Sequence, residues 1–131
     1  MNTPNILIVD DDKETRGSLK GFLKSSLVCN VFEAENGEEA LKNLTENPCD
    51  IMILDIRMPK KSGIRVLDEM EKIAKGVDII VVTAWDSDLV AEECAKRNAE
   101  CIPKPMDLDE FYNKVAKLLK KRDKFIPVRG A

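Results

Sequence analysis

Short apolar runs alternate along this chain with longer segments in which apolar residues recur every three or four positions. Short runs of about four to eight apolar residues are typical of buried strands, and the longer spacing is typical of amphipathic helices. Each predicted strand is followed by one predicted helix. The predicted strands are Asn5–Asp10, Val28–Ala34, Asp50–Asp55, Val77–Val82 and Ala99–Ile102. This strict alternation predicts an α/β domain with a doubly wound five-stranded parallel sheet and helices on both faces.

Pairs of acidic residues indicate where two of the helices begin. Asp11 with Glu14, and Asp107 with Glu110, have the spacing of a capping box. In this motif the side chain of the first residue accepts a hydrogen bond from a backbone N–H in the first helical turn. We therefore expect the first helix to be capped by Asp11 and the last by Asp107.

Length and composition indicate one domain. The chain has 131 residues, of which 44% are apolar, enough for a buried core. We assign 1–122 to this domain, and we predict that 123–131 is a flexible C-terminal tail because the apolar periodicity ends there.

Charge and cysteine usage exclude several classes of function. The 24 acidic and 21 basic residues leave a net charge of −3, so no direct nucleic-acid partner is expected. No apolar run is long enough for a transmembrane span, and no membrane partner is expected. The chain has no histidine, and its four cysteines lack metal-site spacing. Reduced thiols in a cytoplasmic protein are the default interpretation.

Polar residues end or follow four of the predicted strands. They are Asp10 and Asp11, then Asp55, Thr83 and Lys104. Because the carboxyl ends of parallel strands share one edge of a sheet, we expect these residues to lie close together. Clustered carboxylates repel one another, and hard oxygen ligands suit Mg²⁺. A hydroxyl and an ammonium group would complete a site for a phosphoryl group, with Asp55 as the nucleophile that forms an acyl phosphate.

Four segments resemble the response-regulator receiver domains of two-component signalling, the CheY-like superfamily. They are Ile6-Leu-Ile-Val-Asp-Asp-Asp12, Leu54-Asp-Ile-Arg-Met-Pro-Lys-Lys-Ser-Gly63, Val82-Thr-Ala84 and Pro103-Lys-Pro105. They occur in the family's order and spacing along almost the whole chain. The resemblance implies a three-layer, flavodoxin-like α/β/α fold with five helices, strand order 2-1-3-4-5 and a cis peptide at Lys104-Pro105.

The resemblance also implies a phosphoacceptor role for Asp55. Asp55 would be loaded by a sensor histidine kinase or a phosphotransfer protein and become 4-aspartylphosphate. Asp10, Asp11, Asp55 and the backbone carbonyl of Arg57 would hold Mg²⁺. Thr83 would be the switch hydroxyl, and Lys104 would pair with Asp55 or with its phosphoryl group.

The chain departs from the family pattern near the site. Cys101 occupies a position where an aromatic switch residue is usual, so the route by which the signal leaves the site is expected to differ. Arg57 and Trp85 occupy positions that control access of water to the acyl phosphate. We hypothesise that Trp85 shields Asp55 and lengthens the phosphorylated lifetime.

The sequence therefore predicts a phosphorylation-dependent signalling switch that acts through a downstream protein target. It would be a single-domain response regulator or the receiver part of a longer regulator, and it would catalyse only its own phosphorylation and dephosphorylation. An aspartyl phosphatase of the haloacid-dehalogenase type fits less well, because Glu14 stands where its motif requires Thr or Val. A flavodoxin-like cofactor binder would need an uncharged phosphate loop in place of Asp10-Asp-Asp12. A degenerate receiver would lack some of the site residues.

Overall fold

Five parallel strands form one sheet in the part of the chain that the computed structural model describes, which comprises residues 3–56, 63–73, 76–83 and 88–128. The strands are β1 (Asn5–Val9), β2 (Asn30–Ala34), β3 (Ile51–Leu54), β4 (Asp78–Thr83) and β5 (Glu100–Pro103). The helices are α1 (Lys13–Ser26), α2 (Gly37–Glu46), α3 (Gly63–Ile73), α4 (Asp88–Lys96) and α5 (Leu108–Lys121). The sheet order β2-β1-β3-β4-β5 confirms the predicted topology.

Each face of the sheet carries its own apolar layer. Alternate residues of β1 point to opposite faces, so that Ile6 and Ile8 pack with α1 and α5. Leu7 and Val9 pack on the other face with α2, α3 and α4. Because the inner strands are buried on both sides, their sequences are continuous apolar runs. None of the described helices is both long enough and apolar enough to cross a bilayer.

Helix α1 begins one residue later than predicted. Its N-cap is Asp12, whose side chain accepts hydrogen bonds from Glu14 N–H at 3.2 Å and from the Thr15 hydroxyl at 2.6 Å. The cap is displaced because the Asp10 carboxylate accepts the Asp12 N–H at 2.9 Å, so the chain enters the helix only after Asp12. The predicted cap of α5 is confirmed, since Asp107 accepts from two backbone N–H groups of the first turn.

The segment predicted to be a flexible tail makes specific contacts over its described part. Val28 N–H donates to the Ile126 carbonyl at 2.8 Å, and Val128 N–H donates to the Ser26 carbonyl at 3.0 Å. Phe125 packs against the apolar layer of α1 and α5. The apolar residues of this segment are too few to show periodicity, yet they cover the end of α1.

Candidate phosphoacceptor site

Backbone hydrogen bonds carry the site residues to the carboxyl edge of the sheet. Asp10 N–H donates to the Ala34 carbonyl at 3.1 Å, and Asp55 N–H donates to the Val9 carbonyl at 3.0 Å. On the other side, Lys104 N–H donates to the Thr83 carbonyl at 3.1 Å. Each bond extends the pairing of parallel strands by one residue, which fixes where the side chains emerge.

The Lys104 ammonium group lies between two carboxylates. Its Nζ is 3.0 Å from Oδ2 of Asp55 and 3.3 Å from Oδ2 of Asp10. Asp10, Asp55 and Thr83 are buried, with 4%, 9% and 3% of their surfaces exposed. The structure thus brings Asp10, Asp55 and Lys104 together at one sheet edge, and Thr83 ends the strand beside Lys104. The peptide bond between Lys104 and Pro105 is cis, as the resemblance implies.

Burial and charge shift the pKa values of this cluster. Burial, with a smaller contribution from the charge of Asp55, raises the pKa of Asp10, although the Asp12 N–H and Lys104 oppose this shift. Burial acts against the charged form of Lys104, but the hydrogen bond and charge of Asp55 outweigh it and raise the pKa of Lys104. Two carboxylates therefore share one protonated ammonium group, so the cluster has more negative than positive groups.

Not every predicted ligand joins this cluster. Asp11 follows Asp10 in the chain but is exposed, and no group of three Asp, Glu, Cys or His side chains poised to hold a metal exists among the described residues. Arg57 and Trp85 lie outside the described residues. Cys101 lies on β5 and is exposed.

Sequence reasoning missed an arginine that fixes the start of the site. Arg16 donates to the backbone carbonyl of Asp10 at 2.7 Å, and its Nε donates to Glu33 at 3.1 Å. The Arg16 side chain therefore ties α1 to the carboxyl ends of β1 and β2. The signal available in the sequence was the position of Arg16 in the first turn of α1, four residues after the cap.

A cavity of about 220 Å³ opens beside the cluster. Asp10, Asp55 and Lys104 form its polar side, and apolar residues such as Leu19 and Met106 form the remainder. An apolar wall lowers the local dielectric constant, which strengthens the interaction of these charges with an incoming anionic group.

The donor set of this edge fits a hard divalent cation. Asp10 and Asp55 supply buried carboxylate oxygens, and the exposed Asp11 is the next residue in the chain. Oxygen donors with few protein ligands and access to water are the surroundings that Mg²⁺ prefers. Burial, and to a lesser extent the charge of Asp55, raises the pKa of Asp10, and a nearby cation would offset both effects.

The chain combines a parallel sheet of order β2-β1-β3-β4-β5 with two buried carboxylates and a lysine at its carboxyl edge. The model of the response regulator receiver domain matches residues 6–116 of this chain. The chain therefore belongs to the response regulator receiver domain family, whose members act in two-component signalling.

Two relatives show the extent of the similarity. A cyclic di-GMP phosphodiesterase of Thermotoga maritima is 36% identical over 118 residues, which cover 89% of this chain and 31% of the relative. The response regulator MprA of Mycobacterium sp. (strain KMS) is 34% identical over 119 residues, which cover 88% of this chain and 50% of the relative. The chain thus spans half or less of the length of either protein.

Solved structures share the fold. The signal receiver domain of a putative Luxo repressor protein from Vibrio parahaemolyticus has a TM-score of 0.85 at 26% identity and covers 92% of both chains. A CheY-like receiver domain protein from Methanospirillum hungatei has a TM-score of 0.85 at 25% identity, with coverage of 94% of this chain and 98% of the other.

Proposed function

We propose that this domain is a phosphorylation-controlled switch in which Asp55 accepts a phosphoryl group. The observation that carries the proposal is the Lys104 ammonium group held between Asp55 and Asp10 at a buried sheet edge. The donor would be the phosphohistidine of a sensor histidine kinase or of a phosphotransfer protein. Domain 1–122 would act in the cytoplasm through a downstream protein target, alone or within a longer regulator.

The proposed reaction is an in-line phosphoryl transfer. A carboxylate oxygen of Asp55 attacks the phosphorus atom, an O–P bond forms, and the P–N bond of the donor breaks with its electron pair passing to the imidazole. Lys104 already contacts Asp55 and would neutralise charge on the arriving phosphoryl oxygens. The Thr83 hydroxyl would donate to one of those oxygens after transfer.

Four groups of this chain would hold Mg²⁺, namely the carboxylates of Asp10, Asp11 and Asp55 and the backbone carbonyl of Arg57. When bound, the ion would supply positive charge to the phosphoryl oxygens. Two contacts of Asp10 support this proposal: its carboxylate accepts a hydrogen bond from Asp12 N–H, and Arg16 holds its backbone carbonyl.

Three positions would tune the response. Arg57 and Trp85 are proposed to control access of water to phosphorylated Asp55, and Cys101 takes the place of the usual aromatic switch residue. Because Cys101 carries a small side chain, we infer that the signal passes through helix α4 and the loop before it.

Phosphorylation by a small phosphodonor tests the proposed function. The wild-type chain is incubated with acetyl phosphate and Mg²⁺, and its intact mass is measured. We expect a gain of one phosphoryl group in the wild type and none in Asp55→Asn. Asp12→Asn is the matched control because it removes the same charge from the same edge but keeps a capping side chain, and it should still be phosphorylated. Absence of phosphorylation in the wild type would contradict the proposal.

A further inference from the structure

Two of the four cysteines lie on the same side of the sheet at one connection. Cys94 belongs to the last turn of α4 and is 4% exposed within the apolar layer shared by α2, α3 and α4. Cys101 lies on β5, where its neighbour Ile102 packs into the opposite layer with α1 and α5. Because side chains alternate along a strand, Cys101 projects towards the face that α4 covers.

A tight backbone turn holds the two residues close. Asn98 has φ 53°, in the left-handed region, and ends α4. Ala99 N–H then donates to the Cys94 carbonyl at 2.9 Å, so the chain reverses within the residues that separate Cys94 from Cys101. The turn places the end of α4 directly over the beginning of β5.

The two thiols differ in burial, and we therefore expect them to react differently. Burial, followed by the neighbouring Cys101 thiol, raises the pKa of Cys94 to about 11. Cys94 is therefore protonated and shielded at neutral pH, whereas Cys101 is exposed to solvent. Attack by a dissolved oxidant begins at an accessible thiol, and a second thiol nearby converts the first product into a disulfide.

We propose that Cys94 and Cys101 form a redox modification site that a peroxide converts into an intramolecular disulfide. The Cys101 sulfur attacks one oxygen of the peroxide, the O–O bond breaks, the released hydroxide takes up the Cys101 thiol proton and leaves as water, and Cys101 becomes a sulfenic acid. The Cys94 sulfur then attacks the Cys101 sulfur, the S–O bond breaks, and the leaving hydroxide takes the Cys94 proton as water. Two thiols are oxidised, and hydrogen peroxide is reduced to two molecules of water.

The disulfide would link the end of α4 to β5, the strand that Lys104 directly follows. Cys101 of β5 pairs with Val81 of β4, and Pro103, which precedes Lys104, pairs with Thr83 of β4. Oxidation would therefore fasten α4 to the part of the sheet that also supports the phosphoacceptor site. The modification itself does not require phosphorylation of Asp55, so it stands independently of the proposed function.

Peptide mapping after oxidation tests this site. The reduced full-length chain is treated with hydrogen peroxide, remaining thiols are alkylated in denaturant, and the protein is digested with trypsin. Cleavage occurs after Lys96 and Arg97 but not at Lys104-Pro105, so the disulfide would join peptides 76–96 and 98–114. We expect the free thiols to fall from four to two in a monomer, with Cys29 and Cys49 still alkylated.

Variants separate this outcome from other oxidations. Cys101→Ser changes an exposed residue and should leave Cys94 reduced, and Cys94→Ala should leave Cys101 without an intramolecular partner. Asp55→Asn should form the disulfide as readily as the wild type, which separates this test from that of phosphorylation. A disulfide between two chains through Cys101, or oxidation of Cys101 with Cys94 still reduced, would overturn the proposal.

Discussion

Asp10 is the site residue whose ionisation most clearly reduces the stability of the folded state. Its carboxylate is buried near that of Asp55, and one ammonium group, that of Lys104, contacts both. The net effect on Asp10 is a raised pKa, caused first by burial. An acid with a raised pKa in the folded state binds its proton more tightly there than in the unfolded chain. Ionised Asp10 therefore reduces stability at neutral pH, and stability recovers as the pH falls through the folded pKa.

We predict that Asp10→Asn stabilises the metal-free protein. The amide still offers an oxygen to Asp12 N–H but carries no charge beside Asp55. The free energy of unfolding at neutral pH should rise, because burial of position 10 no longer opposes an ionised side chain. This difference should shrink as the pH falls through the folded pKa of Asp10, and added Mg²⁺ should stabilise the wild type more than the variant.

Urea denaturation with a chelator present measures this effect. Asp12→Asn is the control for removal of one negative charge, because Asp12 is exposed and asparagine also caps helices. If Asp10→Asn unfolds at lower urea than Asp12→Asn, burial of the Asp10 charge is not the dominant effect.

The sequence predicted the residues of the site better than their local contacts. Asp10, Asp55, Thr83 and Lys104 could be predicted because parallel strands bring their carboxyl ends to one edge. Asp12 could be predicted only as an acid near the start of the helix, because its choice as the cap over Asp11 depends on the Asp10 carboxylate accepting a backbone N–H. The role of Arg16 depends likewise on the distance between α1 and β2, which periodicity does not encode.

At the scale of elements, the connection between α4 and β5 depends on one residue with a left-handed backbone conformation. The turn requires a residue with positive φ, for which glycine is the usual choice, and the chain has Asn98 at this point. Asn98 adopts the left-handed conformation, which asparagine tolerates better than most residues with a side chain. The turn therefore closes normally, and β5 pairs with β4 in full parallel register.

The N-cap of α5 should contribute measurably to stability. Asp107 accepts hydrogen bonds from Asp109 N–H at 2.8 Å and Glu110 N–H at 3.2 Å. These bonds satisfy donors that the first turn otherwise leaves without a helical partner. We predict that Asp107→Ala lowers the free energy of unfolding by about 1 kcal/mol, whereas Asp107→Asn should keep most of the stability that the cap contributes. Equal loss in both variants, measured by urea denaturation, would indicate that the charge of Asp107 matters more than its hydrogen bonds.

At the scale of the whole molecule, the strand count and the parallel arrangement followed from the alternation of patterns, and the order of the strands followed from the resemblance. The packing of the C-terminal segment followed from neither. Its anchor is a set of ion pairs at the amino edge of the sheet, opposite the phosphoacceptor site. Charged residues distant in sequence meet there, and no periodic pattern marks them.

Asp50 is the centre of this anchor. It lies just before β3 and is 6% exposed. Its Oδ1 accepts from Lys124 Nζ at 2.8 Å and from Arg122 at 3.4 Å, and its Oδ2 accepts from Asn5 N–H at 2.8 Å. Burial opposes ionisation, but the hydrogen bonds from Lys124 and Asn5 and the charges of Lys124 and Arg122 prevail and lower the pKa of Asp50. One carboxylate thus joins the start of β1 to the residues after α5.

We predict that Asp50→Asn destabilises the domain and loosens the C-terminal segment. An acid with a lowered pKa contributes stability above its unfolded pKa, and this contribution is lost as the pH falls through the folded pKa. The free energy of unfolding of the variant should therefore be about 1–2 kcal/mol lower than that of the wild type at pH 7, and this difference should narrow below about pH 4.

Carboxypeptidase should also release the residues after 123 faster from the Asp50→Asn variant. Asp123→Asn is the matched control, because Asp123 is exposed and has φ 60°, which asparagine tolerates. Equal digestion of both variants would show that the contacts of Val28, Phe125 and Ile126 hold the segment without the ion pairs.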